Sequence, residues 1–223
     1  MQTTTEAEEH LRVIRSLMER ATIYRAISAT TAMSGGISSL CWGAWSLFLM
    51  RTLANDFGNG VLSDQYSFRF FGGWLGVLSV TMASNTLFLW LAARSRREPF
   101  YSPAMRKALW ALFPPLLCGA AFTLFGIIGK GANVWALPCI WMIFYGLGLL
   151  GTAQFAPRSI PVLGWFFLIA GLLAFGTREL RLGPVDSPYG ATILMMATFG
   201  IFHIVYACCT WPRKAPATAA GRA

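Results

Sequence analysis

Six stretches of this chain carry no charged side chain: residues 26–50, 70–93, 108–129, 131–157, 159–177 and 187–212. The shortest holds 19 residues. About 20 residues at 1.5 Å rise match the roughly 30 Å hydrocarbon core of a bilayer, so each run is long enough for a transmembrane helix. Strands of a membrane barrel would instead alternate apolar and polar residues over roughly ten positions, and these runs are apolar on all sides. A composition of 56% hydrophobic and 12% charged residues, against about a quarter charged in soluble domains, asks for the same nonaqueous solvent.

The sequence therefore predicts an all-α integral membrane protein, a six-transmembrane-helix bundle preceded by a cytoplasmic amphipathic helix. Residues 1–27 form the interfacial segment and 28–211 the bundle, with spans near 26–50, 70–93, 108–129, 133–153, 159–177 and 189–210. The Pro-bearing segment 212–223 reads as a disordered cytoplasmic tail. Residues 1–10 of the chain, MQTTTEAEEH, are polar and acidic, so no cleavable leader is expected and the first span serves as insertion signal.

Cations in short loops stay on the cytoplasmic side of a membrane. With six spans, the N-terminus, the 94–107 loop, Arg158 and the C-terminus share one side and carry thirteen Lys and Arg residues, against five at Arg51, Arg69, Lys130, Arg178 and Arg181. Both termini are expected in the cytoplasm, and a bacterial cytoplasmic (inner) membrane is the expected location. Orientation thus accounts for the net charge of +9, and no nucleic-acid partner is expected. The bilayer itself is the first partner, with anionic headgroups attracted to Arg94, Arg96 and Arg97.

Leu11, Ile14, Leu17, Met18, Ala21 and Tyr24 recur at spacings of three and four, one apolar stripe of a helix over residues 8–25. Arg12, Arg15, Glu19 and Arg20 take much of the other face, and Glu8 with Arg12 adds a favourable i, i+4 pair. Such a helix lies at the interface or docks a second membrane or cytoplasmic protein. The segments 51–69 and 94–107 read as the two longer loops, from the turn residues in NDFGNG and REPFYSP.

All nine acidic residues lie outside the spans. Ion-coupled pumps keep carboxylates at bilayer depth because a charge there is costly, and paired catalytic carboxylates would need the same placement. His10 and His203 do not form an H-E-x-x-H zinc motif, and no G-x-S-x-G nucleophile turn occurs. No enzyme activity and no cofactor are expected. Met195, Met196, His203, Cys208 and Cys209 have the soft chemistry of a Cu(I) site, but Met196 and His203, seven apart, would share a face that Cys208 leaves, so no metal is expected either. The five cysteines are expected reduced.

What remains is uncharged polarity. Counted from the cytoplasmic ends of their spans, Ser34, Asn85, Tyr145 and His203 all lie roughly 9–12 Å deep. Pro114 and Pro115 stand at the same level, where they free backbone carbonyls. These residues form a candidate polar cavity, with the two prolines shaping its wall; plain interhelical hydrogen bonding is the competing reading. Gly35, Ser39 and Gly43, and again Gly72 and Gly76, recur every four residues and let helices approach closely. They are expected to close the bundle internally, with a homo-oligomer interface as the alternative.

The expected role is a non-enzymatic accessory or regulatory component with a partner at its cytoplasmic face; the alternative is a small permease or channel using the layer near His203. A tag fused after Ala223 should stay out of reach of a membrane-impermeant reagent added outside sealed cells; labelling there would reverse the orientation.

Overall fold

The fold is taken from a computed structural model that describes His10 and residues 29–57, 62–96, 101, 103–128, 136–154, 156–179 and 187–211. Every element among them is helical. In chain order they are α1 (Ala29–Phe57), α2 (Leu62–Arg96), α3 (Pro103–Ile128), α4 (Leu137–Gly151), α5 (Ser159–Glu179) and α6. The last is continuous but changes pitch: α-helical over Pro188–Met195, π-helical over Met196–Phe202, α-helical again over His203–Thr210.

Local sequence sets several boundaries. Pro138 lies in the first turn of α4 and Pro188 in that of α6, where the missing N–H costs nothing. Ser187 caps α6, its side chain accepting from the Gly190 N–H at 3.1 Å. At the other end of α4 the Thr152 Oγ1 donates back to the Leu149 carbonyl at 2.6 Å, which takes up one of the helix's unpaired acceptors.

Among the described residues four helices are long and apolar enough to cross a membrane: Arg69–Leu91 within α2, Met105–Gly126 within α3, Ser159–Glu179, and Pro188–Thr210. The other two depart from the sequence expectation. Inside the 27-residue charge-free run 131–157, α4 has only 15 residues, because Pro138 starts it and the Gly151–Thr152 turn stops it. Absence of charge marks what is permitted in lipid, not how long a helix runs. At 29 residues α1 is long, but Ser34, Gly35, Gly36, Ser38, Ser39 and Gly43 dilute its apolarity.

The segment 51–69 is also mostly helical rather than a loop. α1 runs on to Phe57 and α2 begins at Leu62, so Arg51, Asp56, Asp64 and Arg69 end a charge-free run without ending a helix. Only 58–61, centred on Gly58-Asn59-Gly60, separates them. Likewise α3 passes through Pro114 and Pro115 without interruption. The expected amphipathic helix over 8–25 and the 212–223 tail lie outside the described residues.

α1 packs against both α2 and α6, and α4 against α3 and α5, with smaller contacts of α6 with α4 and α5 and of α2 with α4 and α6 through Phe71, Trp74, Trp141 and Met195. Each sequential pair α1/α2, α3/α4 and α4/α5 is antiparallel. α1 and α6 are antiparallel too: Ala32 clusters with Tyr206 and Ala207, while Gly43, further along α1, meets Met196. The start of α1 and the end of α6 therefore lie at one end of the molecule.

Close crossings hold these pairs. A Cβ on Gly36 would come within 2.9 Å of the Gly200 carbonyl oxygen and 2.6 Å of Ile204 Cγ1. Between α4 and α5, a Cβ on Gly146 would stand 2.7 Å from the Leu168 backbone nitrogen and 2.8 Å from the Gly164 oxygen. Gly35 and Gly43 are both close-approach positions, but toward different helices: Gly35 faces Thr81 of α2 and Gly43 faces Met196 of α6. Gly72 and Gly76 do not follow: a Cβ on either meets nothing within 4 Å, since α2 touches α1 through the face that carries Gly73, Trp74 and Thr81.

Hydroxyls inside the helices are satisfied locally. Ser39, Thr81, Thr123, Thr192 and Thr198 each donate to the carbonyl four residues back at 2.8 Å, which hides the polar group from an apolar surround. The outer surface is broadly apolar: Trp110 and Phe125 on α3 are 69% and 70% exposed, and Leu78, Leu87, Trp165 and Leu173 are also exposed. A water-soluble monomer does not display apolar area on this scale.

Gly146→Ala should destabilise the bundle by about 1–3 kcal/mol through overpacking, whereas Gly76→Ala should stay within about 0.5 kcal/mol. Thermal unfolding in one detergent distinguishes the two; equal effects would contradict the described packing.

Candidate functional site

The two ends of one hydrogen bond come from α4 and α6. Tyr145 sits in the third turn of α4 with its Oη 2.9 Å from His203 Nε2. His203 is 8% exposed and opens the final α-helical segment just after the π-helical stretch. A π-turn inserts an extra residue per turn and often marks functional positions. Here it rotates the following residues: Met196 faces Gly43 on α1, while His203 faces Tyr145 on α4. Spacing of seven would have put both on one face, and the wider turn is why it does not.

Aromatic rings enclose the pair. Phe167 from α5 lies 4.8 Å from Tyr145 and 5.4 Å from His203, centroid to centroid. Phe199 lies 5.4 Å from Tyr145 and stacks on His203 at 6.2 Å, and Phe202 closes on Phe167 at 5.5 Å. Three helices thus meet around one polar contact.

The Nδ1 of His203 is buried without a hydrogen-bond partner, so the ring's polar contact is the one from Nε2 to the Tyr145 hydroxyl. Which of the two donates is set by the imidazole tautomer. Held in an apolar shell, the pair is suited to fixing α4 on α6. A second bond ties the same helix on its other side: Trp141 Nε1 donates to Thr123 Oγ1 of α3 at 2.7 Å.

Of the residues grouped by depth, the structure joins only Tyr145 and His203. Ser34 lies partly buried on α1, its carbonyl accepting from Ser38 Oγ at 2.8 Å. Asn85 lies on α2, one turn beyond the Thr81 that meets Gly35, and its Oδ1 is buried with no partner. Asn85 follows the contact of α2 with α1 whereas His203 turns to Tyr145 on α4, so equal depth did not bring the two together. Among the described residues no hydrogen bond joins Ser34 or Asn85 to the Tyr145–His203 pair. Pro114 is exposed, and Pro115 approaches Gly148 of α4, away from His203.

The soft-ligand residues of α6 also diverge. Met195 is buried with Phe70 and Trp74, Met196 meets Gly43, and Cys208 and Cys209 are exposed. Among the described residues no three of His, Cys, Asp and Glu gather as a metal site. Sequence reasoning missed the enclosing Phe167, Phe199 and Phe202. Only Phe199 carried a signal, four residues before His203, and the π-turn carried none.

The chain matches no family model, no curated protein and no solved structure.

Tyr145→Phe removes the hydroxyl and keeps the ring, so it should cost about 0.6 kcal/mol, the average for an interhelical hydrogen bond in a membrane bundle. His203→Ala should cost more, because the aromatic shell also loses its centre. A double-mutant cycle in detergent measures the coupling; additive effects would mean the two side chains do not interact.

Proposed function

We propose that the chain is a six-span protein of the cytoplasmic membrane, with both termini in the cytoplasm, serving as a non-enzymatic accessory or regulatory component. The reading rests on how its interior polarity is used. Two side-chain hydrogen bonds run from α4 to its neighbours, Tyr145 to His203 and Trp141 to Thr123, and the first is wrapped in aromatic rings. Such contacts fix helix positions and do not present groups to a ligand. Recognition chemistry is then left to the charged cytoplasmic face.

The topology draws on two observations. The start of α1 and the end of α6 sit at the same end of the bundle, which fits an even number of crossings, and the cationic residues concentrate on the loops that such a count places together. For α1 and α4, neighbouring helices supply much of the surround, so neither needs the apolar length of an isolated span. The amphipathic stretch over 8–25 and the arginines near 94–97 are the proposed docking face for a membrane or cytoplasmic protein.

A permease is the second reading, favoured by the buried and unpaired Asn85 Oδ1. A carbonyl oxygen left without a donor in an apolar surround is costly, and a solute or water file would meet it.

Removing residues 1–20 should abolish retention of a stoichiometric partner through mild solubilisation while membrane insertion stays intact. Full-length protein that purifies alone, with solute flux in proteoliposomes that Asn85→Leu abolishes, would replace this reading with the permease.

A further inference from the structure

The connection between α2 and α3 is flanked by a mirrored pattern. In α2 Trp90 stands four residues before Arg94, and in α3 Trp110 stands four residues after Arg106. The apolar spans of the two helices end at Leu91 and begin at Met105. Each arginine therefore marks the edge of a span, and each tryptophan lies one turn, about 6 Å, further into the bilayer. Both pairs sit at one end of the molecule. Phe71, near the start of α2, meets Trp141 of α4, and Gly126, near the end of α3, meets Leu137 at the start of α4, so the end of α2 and the start of α3 share the opposite rim.

These side chains are open to the surroundings. Trp90 is 43% and Trp110 69% exposed, and Arg94, Arg106 and Lys107 are exposed as well. α2 packs chiefly on α1, and α3 on α4. Thr81 meets Gly35 of α1, and Trp90 comes nine residues later, two and a half turns at about 3.6 residues each, which turns it to the far side. On α3 Ala108 is buried and Leu112 meets Gly148 of α4, so Trp110 between them looks outward.

The positive charge of this rim is unanswered within the chain. Among the described residues no carboxylate pairs with Arg94, Arg106 or Lys107, whereas Arg178, toward the other end, pairs with Glu179. Arg94 is already oriented: α2 runs toward the rim, its side chains lean back toward the bilayer, and the guanidinium lies over the Trp90 ring, 5.2 Å from its centroid. Stacking occupies the face of the guanidinium and leaves its N–H edge free, the edge that holds a phosphate through two parallel hydrogen bonds.

We infer that the rim shared by α2 and α3 binds anionic phospholipid, with the headgroup phosphate at Arg94 and at Arg106 and the glycerol region against Trp90 and Trp110. Tryptophan settles at that depth, and cations at helix ends collect anionic lipid. A phosphatidylglycerol headgroup brings phosphate oxygens with no cation of its own; a choline headgroup brings an ammonium that the arginines repel. The inference rests on α2 and α3 crossing the bilayer. It is separate from the protein partner proposed above, whose docking is tested by removing residues 1–20.

Tryptophan quenching by brominated acyl chains tests the site on full-length protein in vesicles that mix phosphatidylcholine with phosphatidylglycerol, the bromine being carried by one lipid or the other. Subtracting the signal of a Trp90→Phe, Trp110→Phe double variant isolates these two rings. Brominated phosphatidylglycerol should quench them as though enriched about fivefold over brominated phosphatidylcholine, the scale of one cation at an anionic surface. Arg94→Gln combined with Arg106→Gln should bring that ratio to one. Arg158→Gln removes an exposed cation from the same rim that has Val162, and no tryptophan, one turn deeper, and should leave the ratio unchanged. Equal quenching by the two lipids in the unmodified chain would overturn the site. A ratio lowered as much by Arg158→Gln as by the paired arginine variant would do the same, since it would reveal only diffuse surface charge. Quenching by neither lipid would show that the chain is not inserted, which defeats the spans themselves and the inference with them.

Discussion

Close approach of backbones without side chains between them is the constraint on which this bundle depends. In lipid there is little hydrophobic gain from bringing helices together, so association comes from van der Waals fit and the few polar contacts that fit permits. Gly36 against Gly200 brings α1 onto α6, and Gly146 against Gly164 brings α4 onto α5. The Tyr145–His203 contact spans 2.9 Å only because α4 and α6 are held at that separation. Were either crossing pushed apart by a methyl, the hydrogen bond and its aromatic shell would open together.

The π-helical stretch joins these two levels. Gly200 lies within Met196–Phe202, so the residue that lets α1 approach belongs to the segment that turns His203 toward α4. One local change of pitch serves both the backbone crossing and the side-chain contact. Substitution there should couple helix packing to the state of the histidine.

How much was legible in the sequence follows from what each signal measures. Charge-free runs record tolerance of lipid, and so they located α2, α3, α5 and α6 well. They overstated α4, which Pro138 and Thr152 bound within a longer apolar run, and they stopped α1 at Met50 although the helix continues to Phe57. Small residues at a spacing of four were read correctly for Gly35 and Gly43 and not for Gly72 and Gly76, because periodicity shows that a face is smooth and not whether a neighbour lies on it. Depth counting paired Tyr145 with His203 but also grouped Asn85, since it fixes height along the bundle and leaves azimuth free. The aromatic shell depended on tertiary packing of α5 against α6 and on a π-turn with no sequence mark.

The 15-residue length of α4 has a consequence for the lipid around it. Such a helix reaches about 22 Å, some 8 Å less than a typical hydrocarbon layer. In a bilayer the deficit must be absorbed by local thinning or by a recess that its taller neighbours wall in, and mismatch of this kind sorts proteins among membranes by thickness. The turn at Thr152, with the Ala153 and Ala156 N–H groups bonded to the Leu150 and Thr152 carbonyls, closes that end of α4 on itself.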